Sequence, residues 1–120
     1  MLKTELLELI ANGENSLIEF KRDDVRPEQL AKEIVAFCNS FGGKLLLGVE
    51  DDGTPSGIQR SNLEHWIMDT VCSRYVHPAV IPLYEEVQIE ANLRVALITV
   101  PLGVSKPYVV RHNDREEFYI

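Results

Sequence analysis

The sequence predicts an α+β fold in a single domain: a mixed, mostly antiparallel β-sheet flanked by about three helices. Three observations carry that expectation. Apolar residues recur at helical spacing in three stretches, while several shorter runs, among them SLIEFK at 16–21 and LLLGV at 45–49, have the length and composition of strands. The first of these strands, the middle helix and the next strand follow in βαβ order, whereas the later strands are joined by short polar turns of the antiparallel kind. At 120 residues, the chain is long enough to bury most of its apolar surface in one core.

Taken in order, residues 2–12 place Leu2, Leu6, Leu9 and Ile10 on one helical face, with Gly13 positioned to stop the helix. In the strand 16–21, Ile18 and Phe20 share one face and Leu17 and Glu19 the other. Pro27 suits the first turn of a helix over 27–41, whose stripe of Leu30, Ile34, Phe37 and Phe41 is expected to cover a sheet face. Asn39-Ser40-Phe41-Gly42-Gly43 ends it, and Lys44–Val49 is too continuously apolar for anything but a central strand. This strand can lie parallel to the first or beside an antiparallel neighbour. Ser61-Asn62-Leu63-Glu64 reads as a capping box for a third helix, with Leu63, Trp66, Ile67, Thr70 and Val71 inward and His77-Pro78 as its stop. Leu83–Glu90 and Leu93–Val100 form a hairpin, and Tyr108–Val110 and Glu117–Ile120 are short final strands around Asn113-Asp114.

The composition narrows the function. A net charge of −7 excludes a broadly basic, DNA-coating surface and leaves room for a local basic patch or a metal-dependent carboxylate site. No apolar run has the length of a membrane span and the start is not a signal peptide, so no membrane partner and a cytoplasmic location are expected. Cys38 and Cys72 fall on apolar helix faces, where buried thiols are expected rather than a disulfide. The chain ends on an apolar strand residue, which suggests a fragment of a longer protein with a further C-terminal domain.

Phe37–Gly57 is the stretch around which the chain is organised. It carries a helix end, a buried strand and the turn Glu50-Asp51-Asp52-Gly53 at that strand's carboxyl end, where open α/β sheets place their sites. Glu14 precedes the first strand and can converge with Glu19 from the turn at Gly13. Together with Asp51 they form a candidate trio for a hard cation, Mg²⁺ or Mn²⁺, that activates water for phosphoryl chemistry. From spacing alone, solvated carboxylates and an ordinary turn are the plainer reading. Gly42-Gly43-Lys44 follows a helix and matches no nucleotide-binding fingerprint, so it reads as a helix stop. The three histidines match no zinc spacing, and no nucleophile stands in an elbow. Lys21, Arg22, Lys106 and Arg111, with Tyr108 and Tyr119, are candidates for a small basic-aromatic rim for nucleic acid, against the plainer alternative of solvated charges beside half-buried tyrosines.

Several blocks together resemble the Schlafen AlbA-type domain: Glu14-x-x-x-x-Glu19-Phe20-Lys21, Glu33-Ile34-Val35-Ala36-Phe37-x-Asn39-Ser40-x-Gly42-Gly43, Leu47-Gly48-Val49-x-Asp51-Asp52-Gly53 with Gly57-Ile58, then Val100-Pro101 and Lys106-Pro107-Tyr108. The resemblance runs from about Glu14 to Ile120. It implies an α+β, AlbA-like domain of the kind found at the amino end of bacterial and archaeal DNA-binding transcriptional regulators. Vertebrate Schlafen proteins use two fused copies of a related domain to cleave transfer and ribosomal RNA with a Glu, Glu, Asp trio, which corresponds here to Glu14, Glu19 and Asp51. Three functions are thereby expected in order: nucleic-acid binding, to DNA or RNA, within a larger regulator; a metal-dependent endoribonuclease, for which one copy calls for a homodimer; and a protein-interaction or dimerisation module. No Walker motif is present, so ATP is not expected.

Overall fold

The computed structural model describes residues 1–120. Its elements are α1 (Lys3–Asn12), β1 (Ile18–Lys21), α2 (Pro27–Asn39), β2 (Gly43–Leu47), α3 (Leu63–His65) running into a π-helical segment (Trp66–Ser73), β3 (Val76–His77), β4 (Leu83–Glu90), β5 (Leu93–Val100), β6 (Val109–His112) and β7 (Arg115–Phe118). The predicted α+β class holds, with the strands divided between two sheets. The main sheet has the order β1-β2-β5-β4, with β1 and β2 parallel and the other pairs antiparallel. A small antiparallel sheet, β3-β6-β7, stands apart from it.

Strand alternation decides what each face of the main sheet packs against. Ile18, Phe20, Leu46, Val95 and Leu97 point to one side and close over Leu6 and Ile10 of α1. On the other side, Leu45, Leu47, Ala96, Ile98 and Val100 meet Leu30, Ile34 and Phe37 of α2. The same cluster takes in Leu63, Ile67 and Val71, then Val76, Tyr108 and Val110 of the small-sheet region. Helix α2 is therefore the wall shared by both sheets.

Three expectations about the helices are corrected. First, α2 ends at Asn39, and Phe41, assigned to its inward stripe, is 81% exposed. The reason is tertiary: Asn39 and the Cys38 carbonyl are taken by the chain beyond β5. Gly42 turns at φ +76° so tightly against that chain that an added Cβ would lie 2.8 Å from the Val100 carbonyl oxygen. The side chain of Phe41 is left outside. Second, the Ser61–Glu64 capping box does not form, because Asn62, the residue flanking α3, is left-handed and makes no side-chain cap. Third, the helical stretch continues as π-helix, and Trp66, expected inward, is half-buried with the Arg60 guanidinium 3.8 Å from its ring centroid.

Cys38 and Cys72 are free and buried, as expected. Burial pushes their thiol pKa values up to about 11 and about 12, the second also through the neighbouring Cys38. Alkylation at neutral pH is expected to track global unfolding, because the thiolate is the reactive form. Fast labelling of the folded protein would contradict this packing.

Candidate functional site

Glu14 sits in the turn after α1, as the sequence suggested. Its Oε2 accepts the Phe20 N–H at 2.9 Å, on the outer edge of β1, so one exposed edge donor is satisfied by a carboxylate. Glu19 projects from β1 opposite Ile18 and Phe20, within hydrogen-bonding reach of Glu14. Lys21, two residues on and on the same face, reaches Glu19 at 3.6 Å and Glu33 of α2 at 3.4 Å. The cluster is therefore Glu19 and Glu33 on one ammonium, with Glu14 against Glu19. Sequence reasoning did not single out Glu33 as a site residue. The signals available were its place at the head of the Glu33-to-Gly43 block and its position three residues after Leu30, at the flank of the apolar stripe of α2.

Burial first, then the Glu33 and Glu14 carboxylates, push the Glu19 carboxyl up to about 7 against the opposing pull of Lys21. The folded state thus holds this proton more tightly than the unfolded chain, whose value is near 4.5. That contribution to stability is complete below 4.5 and is lost as pH rises through 7. The wild-type urea midpoint is expected to fall between about pH 5 and pH 8 by more than that of Glu19→Gln, with the variant the more stable at the upper end. Parallel pH profiles for the two proteins would show that Glu19 does not titrate this way.

Asp51 stands apart from this cluster. It lies exposed in the turn after Val49, without a hydrogen bond or ion pair from its side chain. Neighbouring groups build the turn: Asp52 accepts the Thr54 N–H at 2.9 Å, while Glu50 accepts from the Ser56 hydroxyl at 2.8 Å and pairs with Arg22 at 3.5 Å. No three His, Cys, Asp or Glu side chains are gathered so as to hold a metal ion. As arranged, Glu14, Glu19 and Asp51 do not fit a divalent cation, since Asp51 is outside the cluster and Lys21 occupies the place of the positive charge.

Five of the six residues expected at a basic-aromatic rim divide into three situations. Lys21, Arg22 and Arg111 are held by carboxylates, Arg22 additionally by Asp24 at 3.4 Å and Arg111 by Glu116 at 2.6 Å. Tyr108 is 4% exposed; its hydroxyl accepts the Ser105 N–H at 3.2 Å. Lys106 is exposed and has no carboxylate partner, its Nζ lying 3.5 Å from the Ser40 carbonyl oxygen. That carbonyl belongs to the end of α2, where Asn39 ties the fold together. Asn39 Nδ2 donates to the carbonyls of Tyr108 at 2.9 Å and Tyr119 at 2.8 Å, and Asn39 Oδ1 accepts the Tyr108 N–H at 2.8 Å.

This fold, with its Glu14-to-Lys21 strand entry and its Asn39-to-Gly43 helix stop, is that of a known class. The model of the family described as Schlafen, AlbA_2 matches residues 14–120, and the chain belongs to that family. Among solved structures, it is similar to the N-terminal domain of a protein of Nitrosomonas europaea named as related to the ATP-dependent DNA helicase RecG. That likeness has a TM-score of 0.71 at 22% identity and covers 100% of this chain and 89% of the other. It is also similar to the DIP2311 protein of Corynebacterium diphtheriae, with a TM-score of 0.62 at 18% identity, covering 98% of this chain and 26% of that longer one. At these identities the likeness concerns the fold. No curated protein matches the sequence.

Proposed function

We propose that this domain binds nucleic acid as one module of a larger transcriptional regulator. The observation that carries the reading is membership of the Schlafen AlbA_2 family over residues 14–120. The shared fold of a domain from a protein named as related to a DNA helicase adds support. Locally, the unpaired Lys106 beside the end of α2 offers a charge to phosphate, which the neutralised Lys21, Arg22 and Arg111 do not. The test is fluorescence anisotropy with labelled duplex DNA, single-stranded DNA, single-stranded RNA and transfer RNA, each at low and moderate salt. Binding that weakens with salt is expected for at least one of them. No binding to any at low salt overturns the reading.

A metal-dependent endoribonuclease is the second reading, acting as a homodimer on structured RNA. It is favoured by the convergence of Glu14 with Glu19 and by the raised pKa of Glu19, a common mark of functional carboxylates. It requires Asp51 to swing toward the cluster and Lys21 to withdraw from it. Cleavage of transfer RNA that needs Mn²⁺ and disappears in Glu14→Gln would establish it; intact RNA at every metal concentration would remove it.

A further inference from the structure

Half of the cations in this chain are held by carboxylates, and two that are not, Lys32 and Lys106, meet the chain along α2 and just past its end. Lys32 Nζ sits over the Tyr119 ring, 5.1 Å from its centroid. The Tyr119 carbonyl is bound by Asn39, and Lys106 Nζ reaches the carbonyl of the next residue, Ser40. Phe41 follows, 81% exposed, and lines one shallow groove together with Lys44. The order along α2 and past its end is Lys32, Tyr119, Lys106, Phe41; Lys32 and the core cover the Tyr119 ring, and Lys44, on the same strand face as Leu46, belongs to the α1 side of the sheet with Leu9 and Ile18.

We infer that single-stranded nucleic acid runs along this strip, with phosphates on Lys32 and Lys106 and a base against Phe41. The inference rests on the nucleic-acid-binding reading and assigns it a place and a strandedness. An exposed aromatic face beside lysines suits an unstacked base and a flexible backbone, whereas the bases of a duplex have no free face to offer. From Lys32 to Asn39 the helix rises about 10 Å. The carbonyl end of a helix ordinarily repels phosphate. Here those groups are largely satisfied: the Phe37 carbonyl accepts from Ser40 and Gly42 N–H, and the Cys38 carbonyl from Gly103 N–H. Glu117 is the carboxylate in contact with the strip, and it orients Tyr119 by accepting its hydroxyl at 2.7 Å. Lysines confined to so short a path reconcile phosphate binding with a net charge of −7.

The experiment compares wild type with Phe41→Ala, with the double variant Lys32→Gln/Lys106→Gln, and with a control, Arg26→Gln/Arg94→Gln, whose arginines pair with Glu28 and Glu86. Affinities are read for one single-stranded sequence as DNA and as RNA, and for the matching duplex, across a salt series. Phe41→Ala should weaken single-strand binding about tenfold, within the range for one stacked base. The double lysine variant should flatten the salt slope by about 1.4, roughly 0.7 for each phosphate that no longer meets a lysine. The control should bind as wild type does. A preference for RNA or for DNA identifies which strand is the ligand, and either supports the strip. If wild type binds single strands and the strip variants bind equally well, or if only the duplex is bound, the strip is wrong and the broader reading survives. If wild type binds nothing, both fall. Phe41 and Lys106 are exposed, so unchanged urea midpoints will confirm that weaker binding does not come from unfolding.

Discussion

Asn39→Ala is expected to destabilise the domain by about 3 kcal/mol and to weaken nucleic-acid binding with it. One side chain holds three backbone groups: the N–H and the carbonyl of Tyr108, and the carbonyl of Tyr119. Tyr108 is buried, so truncation strands its N–H without a partner and without water. An unsatisfied buried donor costs about 1–3 kcal/mol, more than the hydrogen bond was worth while made. The loss also has a position. Those groups anchor the segment carrying Lys106 and the chain end carrying Tyr119 onto α2, so the strip comes apart where it is built. Asn39→Asp keeps the acceptor for the Tyr108 N–H but faces two carbonyls with a carboxylate, and should be no better. Equilibrium urea unfolding decides the matter: a change below about 0.5 kcal/mol for Asn39→Ala would falsify the bridging role.

Gly48→Ala should cost more still, about 4 kcal/mol, a large share of the total stability of an ordinary domain. Gly48 has φ +95°, where a side chain is strained. An added Cβ would also lie 2.8 Å from the Gly57 carbonyl carbon and 3.0 Å from its oxygen, and both are backbone atoms that cannot swing aside. The crowding has a cause in the hydrogen bonds. The Gly48 N–H donates to the Lys21 carbonyl at 2.8 Å, and the Gly48 carbonyl accepts from Ser56 at 2.8 Å and Gly57 at 2.9 Å. Three chain segments cross at that residue, and their closeness sets the turn bearing Glu50, Asp51 and Ser56. Soluble yield and thermal midpoint should both drop sharply; a Gly48→Ala protein that melts with wild type would show that this crossing is looser than described.

Much of this architecture was legible locally. Alternation put Ile18 and Phe20 on one face of β1 and Glu19 on the other, Pro27 began α2, and the Leu83–Val100 hairpin closed on the short link at Ala91-Asn92. The Glu14 position after Gly13 was also readable, because only a residue outside the strand could turn back to meet Glu19. In each case the information lay within a few residues, in the period of the apolar positions or the chemistry of one turn.

Tertiary structure alone decided which charges remain available, and which aromatic ring faces solvent. Lys21 meets Glu33 across the packing of β1 on α2, and Arg22 meets Glu50 across two parallel strands; neither pairing has a local signature. Helical spacing assigned Phe41 to the core, yet the helix stops two residues earlier because Asn39 is claimed by Tyr108, 69 positions along the chain. Periodicity records which side chains are apolar. Whether a side chain is covered, or a cation neutralised, depends on distant chain brought close by folding, and that fixed the strip from Lys32 to Phe41.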